Sequence, residues 1–430
     1  MKRLKDITTI GFALFAMFFG AGNLLLPPYI GVQVGHHIWI TILAFGLSGI
    51  LLPFFGVLSV TNSGDHFNDL GERINKYIAP VLGSIIMICV GPLIAIPRTA
   101  ATTFEVGILP SFPDSSPIWT SVAFFVVTWL FSIVPSKVVD LVGNILTPVL
   151  LVVLVILIGM GIANPIAIPQ QDILPVSDSF TLGFIEGYQT LDVLASVIFA
   201  GIIISAAKAK GYTTVALKNK VVIASGILAA ICLLFIYGGL IYLGATSGVE
   251  NTNISRSELL IHISHSILGS SGALAIAICI ALACLTTAIA LTSAFGSFFS
   301  KLTKGKLDYK LLVTISCVIA GLLSVTGVDN IIQFAYPPLA FVYPIVMTLV
   351  LYIVIFGAFV KSKLPYVWAM IASTIIATFN ILKIFDLLQG DTLATLNHIP
   401  LFAYELGWVV PSFVFFVIGI LIDRLTTKKG

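Results

Sequence analysis

Charge is scarce in this sequence. Lys, Arg, Asp and Glu make up only 10% of its 430 residues, while 58% are hydrophobic. Soluble globular proteins are about one quarter charged, so too few charges are present to build a water-facing surface. The net charge of +3 is too small to suggest a nucleic-acid partner. Cysteine is rare as well. The five residues Cys89, Cys232, Cys279, Cys284 and Cys317 have neither zinc-like spacing nor a disulfide framework, and they read as small apolar packing residues. No soluble domain is visible. No metal cluster or nucleophile–base pair falls inside the apolar runs, which argues against an enzyme.

What the chain has in abundance is long apolar runs. Twelve can be read, at about 7–32, 37–61, 77–104, 117–134, 138–162, 185–207, 218–245, 271–300, 310–328, 331–359, 365–387 and 406–423. Each is near the roughly 20 residues a membrane helix needs. The fold expected is therefore all-α, a polytopic membrane protein in the lipid bilayer. The first run exceeds a signal peptide's length and reads as a retained span. With the N-terminus in the cytoplasm, 19 of the 22 basic residues fall on inner segments. This satisfies the positive-inside rule and puts both termini in the cytoplasm of a cell membrane. The polar stretches 162–184 and 246–270 then lie outside. The second contains "SRSELLIHISHSIL", which has helical periodicity and could lie across a cavity mouth. His262 and His265 in it read as solvated.

Span 1 contains "FFGAGNLLLPP". A helix in lipid must satisfy its backbone internally, yet Gly20 and Gly22 each weaken it by about 1 kcal/mol. If the helix unwinds there, carbonyls before the break are free for a cation. The amides of Ala21, Gly22 and Asn23 open a new half-helix whose positive end favours a carboxylate. The alternative is a small-residue packing motif. Span 6 carries Asp192, which costs about 2.5–3.5 kcal/mol on insertion scales. It could hold an ammonium, carry a proton or make a structural hydrogen bond. Glu186, near the outer end of the same span, reads as solvated. In span 8, Ala283, Thr286 and Thr287 share one helix face and offer oxygen ligands to an alkali cation, unless the threonines only bond back to the preceding turn. In span 3, Arg98 could face a substrate carboxylate, act as a gate or pair with Glu105 two turns on. Spans 1 and 6 are five apart, so their half-proteins are inverted, and broken helices at matching places mark a secondary transporter's binding site. The repeats expected are about 7–162 and 185–359, with two added helices at about 365–423.

These segments, with "GPLIAIPRTA", "YQTLDVLAS" and "AYPPLAFVYP", resemble the branched-chain amino acid:cation symporter family over essentially the whole chain. That family belongs to the amino acid transporter superfamily with five-plus-five inverted repeats. The resemblance implies a Na⁺ site made by the carbonyls of Ala16, Phe19 and Ala283 and the hydroxyls of Thr286 and Thr287. It implies a substrate carboxylate at Ala21, Gly22 and Asn23, and an amine at carbonyls around Tyr188, Thr190 and Leu191 and the Asp192 side chain. Gly187 and Gly201 flank the expected break in span 6. The function implied is Na⁺-coupled import of leucine, isoleucine and valine, with H⁺ coupling through Asp192 as the near alternative. A passive channel would need selectivity loops or charged rings, and none is evident.

Overall fold

The computed structural model describes residues 2–427 apart from 65–66, 73, 76, 134–136, 171–172 and 389–390. Arg73, Lys76, Lys428 and Lys429 of the charge pattern lie outside the described residues, as do the side chains of Lys2, Lys137 and Ala21.

All regular structure in the described residues is helical. Span 1 consists of α1 (Lys2–Phe18), a 3₁₀ turn (Ala21–Leu25) and α2 (Leu26–Val34), with a 76° bend between its halves. Span 2 is α3 (Ile38–Gly46) and α4 (Leu52–Ser63) joined through a π-turn; α5 (Phe67–Glu72) follows. Span 3 is α6 (Ile78–Ile88), a π-turn, α7 (Ala95–Thr102) and a second π-turn (Thr103–Ile108). Its kink is at Gly91 (φ −87°, ψ −120°) beside Pro92, where proline removes a helical donor. Then come α8 (Pro117–Ile133), α9 (Lys137–Ala163), α10 (Val176–Glu186), a 3₁₀ turn (Gly187–Thr190) and α11 (Asp192–Ala209). The chain continues through α12 (Val215–Ala245), α13 (Arg256–Leu302), α14 (Tyr309–Ser324), α15 (Val328–Phe356), α16 (Leu364–Ile384), α17 (Asp391–Leu396) and α18 (Val409–Thr427).

Eight of these stretches are each long and apolar enough to cross a membrane, and the bent first pair makes nine. Three shorter apolar helices, Pro117–Ile133, Pro148–Ala163 and Tyr309–Ser324, fall at the remaining predicted places. Two boundaries differ from those expected. Span 6 begins at Val176, not near 185, so the polar-looking stretch 162–184 holds the first half of a broken span. The helix expected within 246–270 begins at Arg256 and runs into span 8 across a kink at Gly269 (φ 70°).

The halves of span 1 pack against α12, while α11 and α15 pack against α4. Helix α13 lies against α7, α9 and the first 3₁₀ turn, and α16 pairs with α15 and α18. The contact of α2 with α12 is a backbone contact. A Cβ added to Gly244 would lie 1.9 Å from the Pro28 carbonyl oxygen. Because a backbone atom cannot step aside, Gly244→Val should cost more than the usual ~1–3 kcal/mol of overpacking. The expected result is a lower melting temperature of the detergent-solubilised protein. An unchanged value would show that the two helices separate freely.

At the end of the bundle holding the N-terminus, Asp6 of α1 accepts from Lys210 Nζ at 2.9 Å and from the Tyr212 hydroxyl at 3.1 Å. The first half of span 1 is thereby tied to the end of the second half of span 6.

Candidate functional site

The two breaks meet in the middle of the bundle. At the first, the Gly20 amide donates to the Phe18 carbonyl at 3.0 Å, and the Asn23 amide donates to the Gly20 carbonyl at 2.9 Å. The helical partner of the Ala16 carbonyl would be that Gly20 amide, so the break leaves this oxygen without it. Phe18 is well satisfied, because its carbonyl also accepts from the Tyr237 hydroxyl at 3.2 Å.

At the second break, Leu191 takes a left-handed conformation (φ 65°, ψ 4°) between the 3₁₀ turn and α11. For a non-glycine residue this costs about 1–3 kcal/mol. The turn is held against span 2 by a close approach: a Cβ on Gly187 would meet the Ser48 hydroxyl at 1.9 Å and the Gly49 amide at 2.9 Å. The strained residue places Asp192 in the first turn of α11, where the helix N-terminus favours a carboxylate.

Arg98, Asn23 and Asp192 bracket the two breaks. Arg98 Nη1 donates to the Gln189 carbonyl at 2.5 Å, and Nη2 donates to Asn23 Oδ1 at 2.9 Å. Asn23 Nδ2 donates to the two Asp192 carboxylate oxygens at 3.3 and 3.2 Å. All three side chains are buried. The amide has one workable orientation, since an arginine only donates and an ionised carboxylate only accepts. Arg98 therefore does not pair with Glu105, as one reading of span 3 had it. Glu105 instead accepts from the Ser257 hydroxyl and from the Val328 amide at 2.9 Å.

A cavity of about 90 Å³ adjoins the bracket. Of the candidates from the sequence, Asn23, Arg98, Thr190, Leu191, Asp192 and Thr287 line it. Apolar walls that the sequence did not single out come from Met17, Val90, Ala195, Phe199 and Leu291. Tyr188 is not on that lining; it is buried and stacked on Tyr343 at 4.4 Å. Ala16, Phe19, Ala283 and Thr286 are not on the lining either. Phe19 stacks on Phe15 at 4.9 Å. The Thr286 and Thr287 hydroxyls donate to the Ala283 carbonyl at 3.0 and 2.8 Å. Their oxygens keep lone pairs for a further partner. The backbone of Ala21 and Gly22 forms the first residues of the 3₁₀ turn beyond the bend.

Toward the end of the bundle away from the N-terminus, one expectation is corrected. Glu186 is not solvated. Its carboxylate accepts from Arg256 Nη2 at 3.0 Å, with only 12% of the side chain exposed. Arg256 Nη1 reaches Asp329 at 2.6 Å, and the guanidinium lies 4.0 Å over the Tyr29 ring. One arginine thus joins α2, α10, α13 and α15. At the same end, the Tyr336 hydroxyl donates to Glu405.

The family model described as branched-chain amino acid transport protein matches residues 3–426. Branched-chain amino acid permease BraB of Bacillus subtilis is 34% identical over 97% of this chain and 95% of its own length. The branched-chain amino acid transport system 3 carrier protein of Pseudomonas aeruginosa is 33% identical, covering 99% and 98%. Permease BrnQ of Escherichia coli is 32% identical, also covering 99% and 98%. Among solved structures, the inward facing conformation of Mhp1 superposes with a TM-score of 0.65 at 12% identity, over 98% of this chain and 91% of that one. The outward-open state of a Na⁺-coupled sialic acid symporter gives 0.51 at 11% identity, over 98% of both chains. Such distant likeness speaks for the fold alone. The family match and the full-length relatives go further: this chain belongs to the branched-chain amino acid transport protein family, a family of multi-pass membrane carriers and not of enzymes.

Proposed function

We propose that this protein is a Na⁺-coupled importer of leucine, isoleucine and valine that works by alternating access. The observation carrying this reading is the pair of helix breaks meeting at one small cavity, with Asp192 at a new helix start and apolar walls beside it. In this reading the substrate carboxylate meets the amides of Ala21 and Gly22, and its amine meets Asp192 and the carbonyls of the second break. The side chain lies against Val90, Phe199 and Leu291. The cation takes the carbonyls of Ala16, Phe19 and Ala283 and the hydroxyls of Thr286 and Thr287. The repeats, about 7–162 and 176–359, are inverted copies, with 365–423 added. The termini are cytoplasmic, on the charge pattern of the loops, in a bacterial cytoplasmic membrane.

The driving force is adequate. About 100 mV of membrane potential contributes ~2.3 kcal/mol per charge. A tenfold Na⁺ gradient adds ~1.4 kcal/mol. The sum supports a few hundredfold accumulation. Uptake into proteoliposomes with Na⁺ and pH varied independently tests the coupling, and counterflow separates a carrier from a channel. A buried acid on the cavity wall keeps H⁺ coupling as the second reading; uptake driven by a pH gradient without Na⁺ would favour it.

Competition against labelled leucine tests selectivity. A hydrophobic pocket discriminates one methylene by only about 1–3 kcal/mol. Isoleucine and valine should compete at concentrations similar to leucine, and alanine poorly. Lysine and glutamate should fail, because their charges would be buried unpaired. Equal inhibition by alanine and leucine would remove the apolar pocket from the account.

A further inference from the structure

A second cavity lies between Arg256 and the broken spans, on the outer side of the 187–191 turn. Its volume is about 440 Å³, and Tyr29, Glu186, Gln189, Arg256, Asp329 and Tyr336 are among its lining residues. Both signs of charge are present. Three buried polar atoms of these lining residues have no hydrogen-bond partner: Arg256 Nε, Glu186 Oε2 and Gln189 Oε1. Buried polar groups are nearly always paired, so each exception calls for a partner. Here one orphan is a cationic donor and two are acceptors, one of them anionic. A molecule carrying a carboxylate and an ammonium on one carbon supplies the missing partner to both kinds. Gln189 also forms the partition, since its own carbonyl is held from the central side by Arg98.

We propose that this vestibule is a second binding site, for a zwitterionic α-amino acid, on the outer side of the central cavity. The carboxylate bonds to the Arg256 guanidinium, and the ammonium bonds to Glu186 and Gln189. The side chain rests between the Tyr29 and Tyr336 rings. To accept the ligand, Arg256 exchanges part of its bonding to Asp329, whose side chain is 40% exposed and can return to water. The inference rests on the reading that the chain carries branched-chain amino acids.

The test uses a thiol at Gln333, an exposed residue of the vestibule wall. The five native cysteines are buried or half-buried, and unsubstituted protein sets the background. Gln333→Cys in proteoliposomes is labelled with a charged, membrane-impermeant thiol reagent, with and without leucine. Leucine at ten times its dissociation constant should slow labelling about elevenfold, since protection follows one plus the ratio of ligand to that constant. The same protection should survive when Asp192→Asn is added and equilibrium binding shows one leucine site per protein where the unsubstituted protein shows two, the central site being lost and the vestibule kept. The leucine analogues lacking either the carboxylate or the amine should not protect, which tests the charge pairing while leaving Arg256 and its structural contacts in place. Protection that disappears with Asp192→Asn would place the effect at the central site and overturn the proposal. Absence of protection while Gln333→Cys still transports leucine would overturn it and leave the carrier reading intact. If unsubstituted protein neither binds nor transports leucine, the carrier reading fails and the proposal with it.

Discussion

Asp192→Asn should reduce leucine uptake by at least two powers of ten. The carboxylate now accepts from Asn23 Nδ2 with both oxygens, and Asn23 cannot turn over to suit an amide because its Oδ1 is held by Arg98. The substitution also removes the negative charge from a buried cluster that keeps the Arg98 guanidinium. Leaving one member of a buried pair without its counterpart costs about 3–5 kcal/mol, and each 1.4 kcal/mol is a factor of ten. If Asp192 binds the substrate amine, equilibrium binding of leucine falls at every pH. If it carries a proton, the variant keeps binding and exchange but loses accumulation driven by a pH gradient. Uptake within threefold of the unsubstituted protein in both assays would reduce Asp192 to a structural residue.

The first break is legible from residues alone because glycine is local punctuation. Gly20 and Gly22 interrupt a run that otherwise propagates, and the 76° bend falls there. Asp192 is equally legible, since an acid inside an apolar run is too costly to sit there without a polar task. The second break is harder to place. Its left-handed residue is Leu191, an ordinary helix former, and the flanking glycines give only a broad window. The first half of that span, "VSDSFTLGFIE", is polar enough at its start to resemble a loop. Its packing against α3 supplies what composition does not. Charged groups mislead in a consistent way. Glu186 sits near a predicted span end and Arg256 within the predicted polar stretch 246–270, where solvation is the ordinary expectation, yet they find each other from positions far apart in the chain. Helical spacing matches Arg98 with Glu105, but the kink at Gly91 and the π-turn after Thr102 lie along that same span. The partner it takes, Asn23, comes from span 1. Such contacts depend on which helices become neighbours, and a single sequence carries little of that.

Replacing Thr286 and Thr287 together with alanine should uncouple transport from Na⁺. Both hydroxyls lie one turn beyond Ala283 and donate to its carbonyl, which leaves their lone pairs available to a hard cation. Helix α13 packs against the 3₁₀ turn of the first break, where the Gly20 amide has turned from Ala16 to Phe18. That turn begins two residues after Phe19, and the Ala16 carbonyl just before it has lost its helical donor. Alanine has the higher helix propensity, and the threonine hydroxyls bond only within their own helix, so α13 should remain intact. If each lost oxygen costs ~1.4 kcal/mol, the half-saturating Na⁺ concentration rises about tenfold per residue. The double variant should then need roughly a hundredfold more Na⁺, or take up leucine only down its own gradient. The single variants should fall between, with Thr287→Ala also altering the leucine affinity because Thr287 lines the central cavity. Uptake measured against Na⁺ at fixed pH decides the matter. An unchanged Na⁺ dependence in the double variant, with the protein folded and exchanging leucine, would move the cation site away from α13.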